Sequence, residues 1–386
     1  MKIAYVGDFI NHGKSLASAG ASIIFLLSTL EEVESIDVFC PNENEDAEII
    51  SLHPKIKLIR SYKYDNAFSL LRLLKLRYTS YDKIIFNVLS TSFGNSSITN
   101  AIGISIPIVL SKILGVNNVE VIYHNSVLTN DISKLGYTSR FDRLRARALR
   151  IIESTLFKNV ATYVLLELYK RRIDQVLKKN KVKVLNAKYL EAISTVFLNG
   201  YQEKEKITLS HVKSIPQVIL HGNWGPQKNI ELAISSLDKI RDCGIAFNLS
   251  ITGGISHHFP EYEQHFLNVL KRYNFVNCYK GPVEEAKIFD IFFTADLLLL
   301  PYNTPGGHSA VLEQAIFFEI PAIAIDFPEY REEADGEYNV ILCEKFEFYR
   351  NIEKNLNVHG NDRVIEIRNK IEKVKQNVKI LLFDGN

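Results

Sequence analysis

Close cysteine pairs, long apolar runs and acidic metal loops are all missing from this chain of 386 residues. Cys40, Cys243, Cys278 and Cys343 stand far apart, without the spacing of a zinc site or a disulfide framework, so a reducing, cytoplasmic setting fits. No apolar run reaches the ~18 residues of a membrane span, and the N-terminus lacks the charged and apolar regions of a signal peptide. No Asp-x-Asp loop occurs, and no metal or separate cofactor is expected. An apolar fraction of 46% with 23% charged residues is that of a soluble globular chain. The length favours two domains of roughly 150–200 residues each.

The net charge of +2 conceals an asymmetry. Residues 1–200 hold 26 Lys+Arg against 18 Asp+Glu, and residues 201–386 hold 20 against 26. Most of the basic excess lies in residues 133–188. Such a chain is expected to turn its basic half to an anionic surface or substrate, or else to carry solvated basic helix faces. The segment Phe68–Arg77 reads as an apolar helix bearing Arg72, Lys75 and Arg77. Peripheral contact with an anionic membrane explains it, and so does a buried helix with snorkelling basic tips.

Short apolar strands alternate with helical segments throughout, the pattern of parallel sheets covered on both faces. The first series runs through Met1–Val6, Ile36–Cys40, Ile56–Ile59, Lys83–Val88, Val119–Tyr123 and Ala161–Leu166. The second runs through Gln217–Leu220, Phe247–Thr252, Val276–Tyr279, Leu297–Leu300, Ala322–Ile325 and Val340–Cys343. An α/β chain of two doubly wound domains follows. Residues 1–201 form the first, 202–214 a linker and 215–361 the second. Residues 362–386 are expected as a C-terminal helix packing back on the first domain.

The densest signal is Pro301-Tyr302-Asn303-Thr304-Pro305-Gly306-Gly307-His308-Ser309-Ala310-Val311-Leu312-Glu313. A strand that ends in Gly-Gly and opens a helix leaves backbone N–H groups free, and the helix dipole adds to their pull on an anion. Gly306 and Gly307 allow a phosphate close to the main chain. Four further stretches precede it: Ala19-Gly20-Ala21-Ser22 on the first helix, His124-Asn125 after strand 119–123, Asn199-Gly200-Tyr201, and Gly222-Asn223-Trp224-Gly225-Pro226-Gln227-Lys228-Asn229. In this order the five resemble the GT-B glycosyltransferases, specifically the retaining sugar-nucleotide enzymes of glycosyltransferase family 4.

The resemblance spans both series and implies two Rossmann-like domains facing each other across a cleft, with the donor on the second. It makes Gly20 (or Gly13) part of a glycine loop against the donor phosphates, although a small-residue cluster also packs helices. His124 then touches the donor sugar or acceptor, and Asn199-Gly200 is the turn closing the first domain. Lys228 neutralises the diphosphate, and Asn223 stands where an arginine is expected, a residue that hydrogen-bonds but brings no charge. The family has a Glu, seven residues and a second Glu. Glu313 fits the second position and accepts hydrogen bonds from the nucleotide ribose, while Pro305 occupies the first, which in the family contacts the transferred sugar. Amides of Gly307, His308 and Ser309 hold the sugar and diphosphate, and the His308 side chain is an added donor. Gly253 and Gly254 fit the same fold, and Gly281 belongs to a loop near the base.

The expected activity is transfer of a hexosyl group from a UDP- or GDP-linked sugar to a glycan or lipid-linked acceptor, with retention and without a metal, at the inner face of a membrane or in the cytoplasm. Lys228, His124 and Glu313 are the candidate catalytic residues. Two alternatives remain open at this point: a non-catalytic partner subunit that binds a nucleotide sugar, and a nucleotide-sugar 2-epimerase.

Overall fold

Seven parallel strands make the first sheet: β1 (Lys2–Val6), β2 (Ser35–Pro41), β3 (Ile56–Tyr62), β4 (Lys83–Val88), β5 (Val119–Tyr123), β6 (Ala161–Val164) and β7 (Val182–Val184). Their order is β3-β2-β1-β4-β5-β6-β7. The winding reverses between β1 and β4, the kind of switch point beyond which ligands bind in open α/β sheets. The computed structural model describes residues 1–8, 15–42, 53–89, 92–94, 96–128, 140–186, 188–209, 215–256, 259–273, 275, 281–304, 307–356 and 363–383. They fall into two units, Met1–Leu190 with Lys373–Asn386, and Glu191–Glu372.

The second unit contains β8 (Ile207–Leu209), β9 (Gln217–His221), β10 (Asn248–Thr252), β11 (Leu297–Leu300), β12 (Ala322–Ile325), β13 (Val340–Cys343) and β14 (Arg363–Ile365). Its parallel sheet runs β10-β9-β11-β12-β13, so the winding reverses between β9 and β11. The two sheets are those of a doubly wound α/β fold, with central strands apolar on both faces. β5, β11 and β12 are buried at every position.

Several elements differ from the sequence expectation. The stretch 202–214 contains β8, which pairs antiparallel with β14. The expected C-terminal helix is thus preceded by a strand, and its helices are Ile367–Val378 and Ile380–Phe383. Three-residue strands amid charged residues carry too little periodicity to be read. Over 68–77 one helical turn, Ala67–Leu70, tightens into 3₁₀ turns over Leu71–Tyr78. The helix Leu190–Leu198, from Glu191 on, and the turn at Gly200 lie in the second unit, where Tyr201 stacks on Phe289 at 4.7 Å and Asn199 Nδ2 donates to the Ala286 carbonyl at 2.9 Å. The expected strand Val276–Tyr279 lies outside the described residues.

At the edge of the first core, Lys83 on β4 pairs with Glu120 on β5, Nζ to Oε1 2.6 Å, with side chains 6% and 2% exposed. A buried ion pair adds little over an apolar pair of similar volume, but removing one partner strands a charge away from water. Lys83→Met is therefore expected to cost about 3–5 kcal/mol, and adding Glu120→Leu is expected to recover most of it. Urea unfolding of both variants beside wild type measures this. A double variant no more stable than the single one would refute the charge account.

Candidate functional site

The carboxyl ends of β9, β10 and β11 meet through their main chains. Gly253 has φ +102°, and a Cβ there would lie 1.9 Å from the Gly222 carbonyl oxygen, so only glycine lets the loop after β10 come this close. The Gly253 N–H donates to the Gly281 carbonyl at 2.7 Å, and the Trp224 N–H to that of Gly254 at 2.8 Å. Trp224 is buried, and its indole N–H reaches the Thr252 carbonyl at 3.0 Å. Gly253, Gly254 and Gly281 thus form one backbone platform, and Asn223 beside them is exposed.

Past this platform a single turn, Pro226–Lys228, leads to the helix Ile230–Asp242 through Asn229 at φ +48°. It places the Lys228 ammonium 3.6 Å above the centre of the Tyr302 ring. Lys228 is half-buried and has no carboxylate partner among the described residues. Burial pulls its pKa down to about 7. His221, at the end of β9, holds Thr252 Oγ1 at 2.7 Å through Nδ1, and burial with the Lys228 charge keeps its ring neutral, its pKa pulled down to about 4. Tyr302 is fully buried, and its hydroxyl has no hydrogen-bond partner among the described residues. The loops after β9 and β11 are tied by the Asn303 N–H to the Gln227 carbonyl, 2.8 Å.

After β11, Gly307 adopts φ +122°, and Ser309 caps the helix Ala310–Phe317 by accepting from the Leu312 N–H. The amides of Gly307 and His308 have no hydrogen-bond partner among the described residues. That of Ser309 is engaged, donating to Glu333 Oε1 at 2.9 Å. Glu313 is buried between His308, whose Nε2 lies 2.8 Å from Oε1, and the Glu191 N–H, 3.2 Å from Oε2. Gly306 and Pro305 lie outside the described residues.

In the first unit a second group gathers where β1, β4 and β5 end. Gly20, on the helix Ser15–Ser28, faces protein: a Cβ there would lie 2.8 Å from the Asp8 carbonyl and 3.0 Å from Asn87 Nδ2 and Tyr5 Oη. The Asp8 carboxylate accepts from the Tyr64 hydroxyl. His124 is buried, with Nε2 2.5 Å from Asn87 Oδ1. Its loop is fixed by Glu153, from the helix Arg140–Asn159, which accepts from Tyr123 Oη (2.7 Å), Ser126 Oγ (2.6 Å) and the amides of Val127 (3.1 Å) and Leu128 (3.3 Å). Burial nevertheless pushes the Glu153 carboxyl up to about 7.

Sequence reasoning named Lys228, His308, Ser309 and Glu313, which the second unit brings to neighbouring loops, and His124 and Gly20, which share Asn87 in the first. It missed His221, Tyr302, Glu153, Glu191 and Glu333. A histidine closing a buried strand and a tyrosine opening the next loop were legible signals for His221 and Tyr302, whereas the three glutamates sit inside helices without any local motif.

No protein-family model matches this chain, and neither does any curated sequence. Solved structures do. Sucrose-phosphate synthase from Thermosynechococcus elongatus superposes with a TM-score of 0.67 at 13% identity, over 99% of this chain and 95% of that one. The Anabaena protein HepE, in complex with UDP-glucose, gives 0.63 at 12% identity, over 100% and 98%. WaaG, a glycosyltransferase involved in lipopolysaccharide biosynthesis, gives 0.58 at 12%, over 98% and 95%. Likeness at such identities is one of architecture, and the two doubly wound sheets with their switch-point loops are the GT-B fold of glycosyltransferases.

Proposed function

We propose that this chain transfers a hexosyl group from a nucleotide sugar to a glycan or lipid-linked acceptor, with retention and without a divalent metal. The observation that carries the reading is Lys228: a half-buried ammonium on the Tyr302 ring, without a carboxylate partner among the described residues, in a unit where the amides of Gly307 and His308 also have no partner among the described residues. Such a charge is costly to keep unless an anion completes it. A diphosphate fits, and HepE, of like fold, holds UDP-glucose.

In the reaction the bond between the sugar's anomeric carbon and the diphosphate oxygen breaks, and its electron pair goes to the leaving oxygen. Lys228 and the two amides meet that charge, the kind of preorganised stabilisation that lowers such barriers most. The acceptor hydroxyl attacks on the face being vacated and gives its proton to the leaving phosphate. Asn223 and Pro305 favour a second reading, binding without transfer, because Asn223 brings no charge where an arginine is expected and Pro305 no side-chain hydrogen bond where a glutamate is expected.

Two exposed apolar and basic surfaces of the first unit support an acceptor held at an anionic membrane. One carries Phe68, Leu71 and Tyr78 beside Arg72, Lys75 and Arg77, with no acidic residue between 66 and 81. The other, on the helix Arg140–Asn159, carries exposed Leu144 and Ile151 among Arg145, Arg147 and Arg150. Apolar side chains that enter the interface and cations that meet anionic headgroups act together there.

A panel of UDP- and GDP-sugars in EDTA, scored by thermal shift and nucleoside diphosphate release, tests the reading. One donor is expected to stabilise the chain and be slowly hydrolysed, with both effects lost in Lys228→Ala. Stabilisation without turnover, even with lipid-phosphate acceptors, would favour a binding subunit. Conversion of the donor to its 2-epimer would make it an epimerase.

Affinity for the donor is expected to fall by up to about tenfold per pH unit above 7, since binding then takes up the proton that Lys228 has lost. A nucleotide sugar has no diphosphate proton to lose in this range, so isothermal titration between pH 6 and 9 reads only groups of the protein. Lys228→Arg is expected to flatten the slope. For the membrane, co-sedimentation with anionic but not zwitterionic vesicles is expected, weakened by salt and by Phe68→Ser/Leu71→Ser. Equal binding to both vesicle types, or to neither, would remove the membrane from the proposal.

A further inference from the structure

We propose that His308 is a locked hydrogen-bond donor of the nucleotide-sugar site: its buried contact with Glu313 holds it as an imidazolium, and its Nδ1–H serves the leaving diphosphate electrostatically, never as a base. The role rests on the donor-binding reading above, whereas the charge state rests on the side chains alone.

The His308 side chain is only 6% exposed, and its Nε2 lies 2.8 Å from Glu313 Oε1. Carboxyl groups face it from several elements. Glu313 comes from the helix Ala310–Phe317, Glu333 from the helix Pro328–Glu333, and Glu191 from the helix Leu190–Leu198. Glu285 and Glu329 stand behind them, acting on Glu191 and Glu333. All five are at most 5% exposed. Burial alone would strip the proton from an imidazole. Here Glu313, Glu333 and Glu191 outweigh it and push the ring up to about 10. Burial in turn drives Glu333 up to about 8 and Glu191 well above the usual carboxylate range.

Among the described residues, the ion pair that His308 makes is with Glu313. The pair satisfies Nε2 and leaves Nδ1 without a hydrogen-bond partner among the described residues. An imidazolium carries a proton on each nitrogen, so Nδ1 is a charge-assisted donor in the loop whose Gly307 and His308 amides also have no partner among the described residues. A group charged before the ligand arrives need not reorganise as the leaving oxygen gains charge. The same lock denies it a base's role, because a base must be unprotonated when it acts.

The test uses the full chain, labelled at histidine and followed by ring-nitrogen NMR, with His308→Gln to assign the signal. Both His308 nitrogens are expected to stay protonated from pH 5.5 to 8.5, and Glu333→Gln or Glu313→Gln to lower the midpoint. Inorganic pyrophosphate, a diphosphate without base or sugar, is then titrated at pH 7.0. It is expected to shift the His308 Nδ1 signal and to bind His308→Gln at least tenfold more weakly than wild type. A His308 midpoint below pH 7.5, an unmoved ring signal or unchanged pyrophosphate affinity in His308→Gln would each overturn the inference, whatever the donor panel gives. If pyrophosphate behaves as expected while no nucleotide sugar binds, the locked donor stands and the transferase reading falls.

Discussion

A carboxylate taken out of water must find groups to answer its charge, or give that charge up, and the start of the helix Ala310–Phe317 is built under that constraint. Glu313 meets His308, burial pushes the Glu191 carboxyl well up, and Glu333 takes the Ser309 amide. Each arrangement fixes a stretch of backbone. Together they decide which amides of the loop after β11 are spent inside the protein and which are left over for a ligand.

The first unit answers the same constraint in two other ways. Glu153 is surrounded by neutral donors, two hydroxyls and two amides, and thereby sets the path of the loop behind His124. Glu120 is answered by Lys83 across neighbouring strands, far less adaptable because each partner needs the other. Neutral donors shape a loop, an ion pair joins two strands, and a shared set of protons at His308 leaves a donor over. Only the last leaves charge available for chemistry.

The strands were the most legible elements. Leu297–Leu300, Ala322–Ile325 and Val340–Cys343 are short apolar runs between turns, and a parallel sheet buried on both faces asks for that pattern. β8 and β14 escaped because three residues cannot show a period, and the tight turns over Leu71–Tyr78 because an apolar run with basic tips reads as an ordinary helix. In the second unit's site, Lys228, His308, Ser309 and Glu313 were legible since they share two loops with a recognisable order. Glu191 is 122 residues from Glu313, and nothing local to it marks a partner. Tyr302 was quoted in its loop without a role, for a cation resting on its ring is a matter of folding, not spacing.

The chain returns to the first unit only after the second is complete: Lys373–Asn386 belong with Met1–Leu190. Lys379 pairs with Glu32, and Leu381 and Leu382 are buried. The half of the molecule that leaves the ribosome first is therefore the last to be finished. Throughout synthesis of the second unit, the first waits with an apolar surface uncovered, a window in which chaperones or misfolding have their chance.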